Sequence, residues 1–412
     1  MMSIIYQFGI AIYTIIIRIA SLFNSKAAEW VRGRKSWKQK LAQSFKSGDK
    51  IAWFHAASLG EFEQGRPVME AFREQYPQYK ILLTFFSPSG YLQKKDYPGA
   101  DAIMYLPPDC PGNAKYFIKT LNPALAIFIK YEFWYNYLAE LTRQKVPAVF
   151  ISALIKGNEP FFKWYGGWFR AILRRIDQFF VQDERSAENL KQIGINKVTI
   201  SGDTRFDRVA DILEDKSENR DIEKFCEGQK VLLAGSTWPP DEDVLREMLR
   251  NFPGMKLIIA PHEVKEDRVR QLISTLDVDV ARFTKDNPAS WNKKRVLVID
   301  TIGVLSSIYR YADIAYIGGA FATGLHNIQE PAVNGMPVIF GPKYHKFKEA
   351  IDLVELGGAF SINSKVELAS VLGELMENEQ RYQQSSAICK KYMLDSRGAT
   401  EKILEGLKQY LS

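Results

Sequence analysis

Short apolar runs alternate with longer helix-like stretches along most of this chain, and the alternation occurs in two successive series. The first series starts near residue 50, and the second follows a polar, charge-rich stretch at Asp207–Gln229. Strands that alternate with helices pair in parallel, so each series predicts a doubly wound α/β sheet. The predicted strands are Ile51–His55, Ile81–Phe85, Ala102–Tyr105, Leu125–Ile129, Ala148–Ile151, Asp177–Val181 and Lys197–Ile200, then Lys230–Ala234, Lys256–Ala260, Val296–Ile299, Ile314–Ile317 and Pro337–Phe340.

The length of 412 residues also favours two domains, because a single core rarely grows so large. Two doubly wound domains in succession predict a ligand cleft between them, at the carboxyl ends of the strands. A final predicted helix, Asp395–Tyr410, crosses back to the first domain. The predicted parts are an anchor and basic segment at 1–40, a first Rossmann-like domain at 41–210, a linker at 211–229, a second Rossmann-like domain at 230–394, and the crossing helix at 395–412.

Residues 2–23 are mostly apolar, interrupted by Arg18, and a basic cluster follows them. The segment lacks a basic leading region and a cleavage site, which argues against a cleaved signal. An apolar helix followed by basic residues predicts a membrane anchor on the cytoplasmic face, inserted or lying in the interface. The alternative is an amphipathic helix packed on the domain. The basic residues are Lys26, Arg32, Arg34, Lys35, Lys38 and Lys40.

The segment Phe161–Arg175 mixes aromatic side chains with cations. Such a segment can lie at a lipid interface, with rings at the depth of the headgroups and arginines on phosphates. The alternative is an ordinary buried aromatic helix. The apolar amino-terminal segment favours the interface.

Composition narrows the function classes. The formal charge of +7 is modest and, without an arginine-rich arm or a nucleic-acid motif, gives no support for nucleic-acid binding. Three separated cysteines without a CxxC pair argue against a disulfide framework and favour a reducing compartment. With only four histidines in the chain, we also expect no multi-histidine metal centre.

A glycine-rich turn follows the strand Ile314–Ile317 in the second series. It contains Gly318 and Gly319, then His326 and Asn327, and leads to Glu330 at the start of a helix. Paired glycines let backbone N–H groups approach an anion, and the carboxylate of Glu330 can accept two ribose hydroxyls. The alternative is a tight strand–helix turn with a satisfied His326.

Two further loops end strands of the same series. Gly235, Ser236 and Thr237 follow one strand, and His262 follows the next. Hydroxyl and amide groups at such positions can hold a phosphate or a carboxylate, although simple capping of the next helix is an equal alternative for the first loop. Because loops at equivalent strand ends converge in a doubly wound domain, we interpret the three loops as one donor site.

Carboxylates end two strands of the first series. Glu61 lies at a strand-to-helix turn, ahead of the predicted helix Gln64–Gln75, and can act as a general base on a sugar hydroxyl. The alternative for Glu61 is charge stabilisation of a helix amino terminus. Glu132 follows the strand Leu125–Ile129, so two carboxylates from neighbouring strands are expected to share the cleft.

Seven ordered motifs together resemble the 3-deoxy-D-manno-octulosonic acid (Kdo) transferases of lipopolysaccharide biosynthesis. The resemblance spans nearly the whole chain, including the apolar amino terminus. It implies the GT-B fold and transfer of Kdo from CMP-Kdo to the lipid A precursor, lipid IVA, on the cytoplasmic face of the inner membrane. It also implies inversion at the anomeric centre, without a metal or another cofactor. The motifs are HAASLGE (55–61), TFFSPSGY (84–91), KYEFWYN (130–136), GDTRFD (202–207), AGSTWPPDED (234–243), DTIGVL (300–305) and GGAFATGLHNIQEPAVNGMPVIFGP (318–342).

The loops and the resemblance together give a set of candidate site residues, with Glu61 as the general base. The predicted donor-binding residues are Gly235, Ser236, Thr237, His262, Gly303, Gly318, Gly319, His326, Asn327 and Glu330. The residues predicted to bind the acceptor or the Kdo group are Ser58, Gly60, Ser87, Glu132 and Arg205.

Four positions depart from the pattern of the family. Trp238 stands where a histidine is usual, and the arginine that commonly precedes His262 is absent. Lys130 stands where a glutamate is common, and Arg205 where a lysine is common. These changes affect phosphate contacts and acceptor choice. The alternative functions are a GT-B envelope enzyme that uses a UDP-sugar, and a non-catalytic membrane-bound binder of sugar nucleotides.

Overall fold

The computed structural model describes residues 2–214, 218–322 and 324–411. The chain divides into two compact units. Unit 1 consists of Met1–Asp207 and Arg397–Ser412, and unit 2 consists of Arg208–Ser396. Residues 215–217 of the predicted linker and Thr323 of the glycine-rich stretch lie outside the described residues.

Each unit contains one parallel sheet, and each sheet has seven strands within the described ranges. The predicted pair of doubly wound Rossmann-like domains is therefore confirmed. The strands of unit 1 are β1 (Lys50–Ala56), β2 (Tyr79–Phe85), β3 (Ala102–Tyr105), β4 (Leu125–Ile129), β5 (Ala148–Ala153), β6 (Gln178–Val181) and β7 (Val198–Ile200). Those of unit 2 are β8 (Val231–Thr237), β9 (Lys256–Pro261), β10 (Val280–Arg282), β11 (Val296–Val298), β12 (Ile314–Ile317), β13 (Val338–Phe340) and β14 (Ala359–Ser361).

Helices flank both sheets. The first ten helices, of which α10 extends from unit 1 into unit 2, are α1 (Met2–Ala20), α2 (Ser25–Arg32), α3 (Trp37–Ser44), α4 (Leu59–Gln75), α5 (Pro88–Lys94), α6 (Pro111–Leu121), α7 (Tyr135–Gln144), α8 (Gly167–Leu173), α9 (Glu184–Gln192) and α10 (Arg205–Glu214). The remaining helices are α11 (Arg220–Cys226), α12 (Pro239–Asn251), α13 (Glu266–Ser274), α14 (Leu305–Ile308), α15 (Gln329–Val333), α16 (Lys348–Leu356), α17 (Lys365–Glu377), α18 (Glu379–Asp395) and α19 (Ala399–Leu407).

The two sheets share a central reversal of the strand order but differ at one edge, where β11 lies between β9 and β10 in unit 2. The order is β3-β2-β1-β4-β5-β6-β7 in unit 1 and β10-β11-β9-β8-β12-β13-β14 in unit 2. In each sheet the chain begins at a central strand, builds one side of the sheet and then continues on the other side. This reversal lies between β1 and β4 in unit 1 and between β8 and β12 in unit 2. Ligands of open parallel sheets bind outside the carboxyl ends of the strands at such a reversal. This rule marks the segments after β1, β4, β8 and β12 as candidate sites.

The central strands are almost completely buried because helices cover both faces of each sheet. In β1, Trp53 and Phe54 are fully buried on opposite faces. Trp53 packs against Phe117 and Tyr137, and Phe54 packs against Phe72. The near-continuous apolar run of β1 follows from this two-sided burial.

The carboxyl-terminal segment differs from the single helix predicted at Asp395–Tyr410. Asp395 ends α18, and α19 starts at Ala399 after Gly398, whose φ of +98° suits glycine. Three apolar side chains of α19 belong to the core of unit 1. These are Ile403, Leu404 and Leu407.

The predicted linker at 211–229 contains helical structure in its described part. Helix α10 extends to Glu214, and α11 occupies Arg220–Cys226. Ile222 and Phe225 of α11 are fully buried, and the ammonium of Lys256 donates a hydrogen bond of 2.5 Å to the Phe225 carbonyl. Residues 220–226 therefore belong to the packing of unit 2.

Helix α1 packs one face on unit 1. The Tyr6 hydroxyl donates a 2.6 Å hydrogen bond to Asp109, and the Tyr13 ring stacks on Phe86 at 6.1 Å. The opposite face exposes Phe8, Ile12, Ile16 and Ile19, among others. No single helix among the described residues is long and apolar enough to cross a membrane, but Ile5–Ala20 and Ser25–Arg32, bent by 120°, meet the length and composition criteria together.

The aromatic segment Phe161–Arg175 is neither one buried helix nor wholly exposed. Two short 3-10 turns, Pro160–Phe162 and Trp164–Gly166, precede α8. Phe161 and Leu173 are buried, whereas Trp164 is 92% exposed. The segment thus combines features of both interpretations.

Asp207 holds α19 on unit 1. Its carboxylate accepts hydrogen bonds of 2.6 Å from the N–H groups of Gly398 and Thr400, at the start of α19. We expect Asp207→Ala to cost about 0.5–2 kcal/mol, as for a lost helix cap, and to accelerate amide exchange in α19.

Hydrogen exchange with mass spectrometry measures this effect. Asp395→Ala is the matched control, because it removes only an exposed pair between Asp395 and Lys391. Unchanged exchange of α19 in Asp207→Ala would contradict the assigned role.

Candidate active site

Gly235 and Ser236 lie near the end of β8, where the register of pairing with β9 shifts. A Cβ at Gly235 would lie 2.5 Å from the Tyr309 hydroxyl, so only glycine lets Tyr309 approach β8. Ser236 adopts a φ of +54°, which is rare for a residue with a side chain. Strained backbone of this kind is often found at functional sites, where the surrounding structure maintains it.

Gly318 and Gly319 allow close packing at the end of β12. A Cβ at Gly318 would lie 2.5 Å from the Ser236 carbonyl oxygen, and Gly319 has a φ of +93°. Their own N–H groups bind inside the protein, to the Gly235 carbonyl and to Asp241, both at 2.9 Å. Both amides therefore have internal acceptors, and contact of either glycine with a ligand stays a prediction.

The buried carboxylate of Asp241 ties the loops after β8 and β12 together. It accepts hydrogen bonds of 2.9 Å from the N–H groups of Gly319 and Trp238 and from the Tyr316 hydroxyl. Burial raises its pKa, while the three donors act in the opposite direction. The sequence analysis missed Asp241 as a site residue. Asp241 is the third residue of α12, a position from which a side chain can bind the backbone of the capping residue. This position was the feature of the sequence that could have identified it.

Four predicted donor residues line one cavity of about 250 Å³ in unit 2: Ser236, Gly303, Asn327 and Glu330. The Asn327 amide donates a 3.1 Å hydrogen bond to the Glu330 carboxylate. The volume is below the usual range of about 300–1,000 Å³ for ligand pockets, so it suits part of a nucleotide. The sequence analysis missed three further lining residues, Leu305, Ser306 and Tyr309.

Three aromatic rings meet beside this cavity. The indole N–H of Trp238 donates a 3.1 Å hydrogen bond to Nε2 of His326. The His262 ring stacks on Trp238 at 4.7 Å and on His326 at 4.6 Å. Burial and, secondarily, the charge of His262 lower the pKa of His326.

Thr237 does not line the cavity. Its side chain is 1% exposed, and its hydroxyl donates a 3.2 Å hydrogen bond to Glu242. Glu242 also pairs with Arg268. The structure thus places the Thr237 hydroxyl inside unit 2.

Glu61 lies in the first turn of α4, which begins at Leu59, five residues earlier than predicted. The Ser58 hydroxyl donates a hydrogen bond to the Glu61 carboxylate. Gly60 between them is exposed, and a Cβ there would meet nothing closer than 3.8 Å. This arrangement holds a half-buried carboxylate just beyond the carboxyl end of β1.

The positive charge of Lys130 interacts with Glu61 in unit 1. Lys130, directly after β4, has a φ of +70°. Burial and then repulsion from Arg205 lower the pKa of Lys130, whereas attraction to Glu61 and Asp203 opposes this shift. Arg205 donates hydrogen bonds of 2.6 and 2.9 Å to Asp203.

Glu132 and Ser87 both have local partners. Glu132 is 8% exposed, accepts a 2.8 Å hydrogen bond from the Trp134 indole, and lies 3.3 Å from Nε2 of His55. Nδ1 of His55 is 2.8 Å from the Thr84 hydroxyl. Ser87 caps α5, since its hydroxyl accepts from the Ser89 N–H at 3.2 Å. Contact of either residue with a substrate stays a prediction.

No group of three or more His, Cys, Asp and Glu side chains is arranged for a metal ion within the ranges that the structure describes. The single buried carboxylates named above bind protein donors instead. Metal-independent chemistry stays a prediction.

Known proteins are similar to this chain over most of its length. Residues 35–208 match the family model described as 3-deoxy-D-manno-octulosonic-acid transferase (kdotransferase). The 3-deoxy-D-manno-octulosonic acid transferase of Chlamydophila psittaci is 26% identical over 380 residues, which cover 88% of this chain and 85% of the relative. The transferase of Haemophilus influenzae is also 26% identical, and the match covers 87% of this chain and 87% of that relative. The transferase of Rickettsia bellii is 26% identical as well, and the match covers 97% of this chain and 95% of that relative.

Solved structures show the same fold at low identity. UDP-GlcNAc 2-epimerase from Neisseria meningitidis, bound to UDP-GlcNAc, has a TM-score of 0.61 and 16% identity, and the match covers 87% of this chain and all of that one. A putative UDP-N-acetylglucosamine 2-epimerase from Listeria monocytogenes also has a TM-score of 0.61. These neighbours support the GT-B-like fold alone.

The fold and the matches define a glycosyltransferase with two Rossmann-like domains. More particularly, the chain is similar to 3-deoxy-D-manno-octulosonic acid transferases, through the family model at residues 35–208 and through relatives that match most of its length.

Gly319→Ala tests the packing of the glycine pair. The new Cβ would lie 2.4 Å from the Gly324 carbonyl oxygen and 2.7 Å from the His326 ring. We expect a loss of about 1–3 kcal/mol from the left-handed backbone alone.

Thermal unfolding checks this expectation. Gly373→Ala in α17 is the matched control, because no atom lies within 4 Å of its added Cβ. In a helix interior this change should stabilise unit 2 by about 0.5–1 kcal/mol. Equal effects of the two substitutions would contradict the packing argument.

Proposed function

We propose that this chain transfers Kdo from CMP-Kdo to the lipid A precursor, lipid IVA, in lipopolysaccharide biosynthesis. The observation that carries the proposal is the cavity in unit 2, where loops from separate strand ends bring Ser236, Gly303, Asn327 and Glu330 together. Its position at the β8/β12 reversal is where doubly wound domains bind nucleotides. The support for Kdo as the transferred sugar is the similarity to the transferase relatives.

Unit 2 binds the donor in this proposal. The Glu330 carboxylate accepts hydrogen bonds from the ribose hydroxyls of cytidine. The side chains of Ser236 and Asn327 donate hydrogen bonds to the phosphate or sugar oxygens. His326 donates to the phosphate from beside the cavity. Donors that are fixed before the reaction stabilise the charge that develops on the leaving phosphate.

Unit 1 supplies the base. Glu61 removes the proton from the primary hydroxyl of the acceptor, and the oxygen attacks C2 of Kdo from the face opposite CMP. The bond from C2 to the phosphate oxygen breaks, so the anomeric centre inverts and CMP leaves. The Ser58 hydroxyl orients the carboxylate.

Glu61→Gln tests the base. The amide cannot accept the proton, and we expect a loss of transfer of about 10²–10⁴-fold, the usual contribution of a general base. CMP should still raise the thermal midpoint, because donor binding is assigned to unit 2. A radiolabelled transfer assay and thermal unfolding give the two readouts.

Glu63→Gln is the matched control on the same helix. Glu63 pairs with Lys94 at 3.1 Å, and we expect its variant to retain transfer. Substantial turnover by Glu61→Gln would refute the base. Stabilisation of the wild type by UDP rather than CMP would instead favour a UDP-sugar donor.

Association with the cytoplasmic face of the inner membrane completes the proposal. Its support is the exposed apolar face of α1, with Phe8 68% and Ile16 58% exposed, beside a face packed on unit 1. Such a helix lies in the interface with its apolar side among the lipid chains. The basic residues after α1 favour anionic headgroups.

Charges on the exposed face of α1 should abolish membrane binding. We expect the double variant Ile12→Asp/Ile16→Asp to lose flotation with phosphatidylglycerol vesicles. The control Leu356→Asp/Val366→Asp adds the same charge at exposed apolar positions of unit 2 and should still float. Equal flotation of both double variants would contradict a role for α1.

A further inference from the structure

The hydrogen bond between Trp238 and His326 restricts the protonation state of the histidine. An indole N–H only donates, so Nε2 of His326 must accept and must carry a lone pair. The neutral ring then has its proton on Nδ1. Protonation of both ring nitrogens would direct the Nε2 proton against the indole proton, so this contact also disfavours the charged form.

The same contact fixes the orientation of the ring. The Nε2 edge of His326 faces Trp238 and Gly319, since a Cβ at Gly319 would lie 3.0 Å from Nε2. Trp238 is held in turn, because its backbone N–H binds the buried carboxylate of Asp241. The stacked ring of His262 packs against both partners. The Nδ1 edge therefore points away from this packed side.

We propose that Trp238 is a positioning residue of the donor site, which holds His326 as a neutral imidazole with its proton on Nδ1 for donation to an anionic phosphate oxygen of the nucleotide. The assignment of the ligand rests on the proposed function, while the assignment of the tautomer does not. A histidine at position 238 could donate, accept or titrate, whereas the tryptophan indole only donates and so fixes one state of His326.

The charged groups around His326 are consistent with a neutral ring. His262 is the titratable group in ring contact, and its charge lowers the pKa of His326 together with burial. Asp241 binds the N–H groups of the adjoining loops, and Glu330 binds the side chain of Asn327. The hydrogen bond from Trp238 disfavours the charged ring of His326, as burial and the charge of His262 also do.

Nitrogen-15 NMR of the full-length chain labelled at histidine tests the tautomer. The chain has only four histidines, so His326 can be assigned by comparison with His326→Gln. In the wild type we expect a protonated Nδ1 and an unprotonated Nε2 at neutral pH. A protonated Nε2 in the wild type overturns the inference without any variant.

Trp238→Phe removes the indole N–H but keeps an aromatic ring. We expect His326 in this variant to populate both tautomers and to titrate at a higher pH. Trp291→Phe is the matched control in unit 2, because the buried Trp291 indole N–H has no hydrogen-bond partner among the described residues. Its removal should leave the His326 signals unchanged.

CMP binding by calorimetry separates this inference from the proposed function. Loss of a positioned hydrogen bond to a charged group should weaken CMP binding by about tenfold in Trp238→Phe, with the donor KM raised more than kcat is lowered. Trp291→Phe should bind CMP as the wild type does. If CMP binds the wild type but Trp238→Phe leaves the His326 signals and the affinity unchanged, the positioning role is refuted. If the expected tautomer is seen but CMP does not bind, the proposed function fails instead.

Discussion

One buried carboxylate, that of Asp241, organises the donor side of the molecule. It accepts three hydrogen bonds, from Gly319, Trp238 and Tyr316, and so joins the loop after β8 to the loop after β12. Burial without these donors would be costly for a carboxylate, so the loops and the charge stabilise one another. The position of Trp238, and through it that of His326, depends on this carboxylate.

The glycines next to Asp241 allow close packing of the neighbouring loops. The N–H groups of Gly318 and Gly319 are used inside unit 2, and added Cβ atoms would collide with the backbone of neighbouring loops. In the proposed function, side chains contact the nucleotide, and these are Ser236, His326, Asn327 and Glu330. In unit 1 the corresponding position after β1 carries Glu61, with Ser58 as its hydrogen-bond donor.

The central strands and most site segments could be predicted from the sequence. Strands such as β1 and β12 are buried on both faces, so they read as continuous apolar runs, and polar residues directly after them mark strand ends. The edge strands β10 and β14, of three residues each, gave no such run and were missed. The start of α4 was placed too late, since Gly60 weakens the helical pattern there.

Long-range partners could not be predicted. Asp241 and Gly319 are 78 positions apart, and Trp238 and His326 are 88 apart, so no local pattern connects them. A glycine-rich motif predicts a close approach of the backbone, but it does not show whether the partner is a ligand or a buried side chain. For Gly319 the partner is the Asp241 carboxylate.

The most direct test of the account is mass spectrometry of the lipid product. The purified full-length chain is incubated with CMP-Kdo and lipid IVA, and parallel reactions contain UDP-sugars. If the chain transfers Kdo as proposed, we expect a lipid that carries Kdo, with release of CMP, only in the reaction with CMP-Kdo. Unmodified lipid IVA in that reaction, or sugar transfer from a UDP-sugar alone, would contradict it.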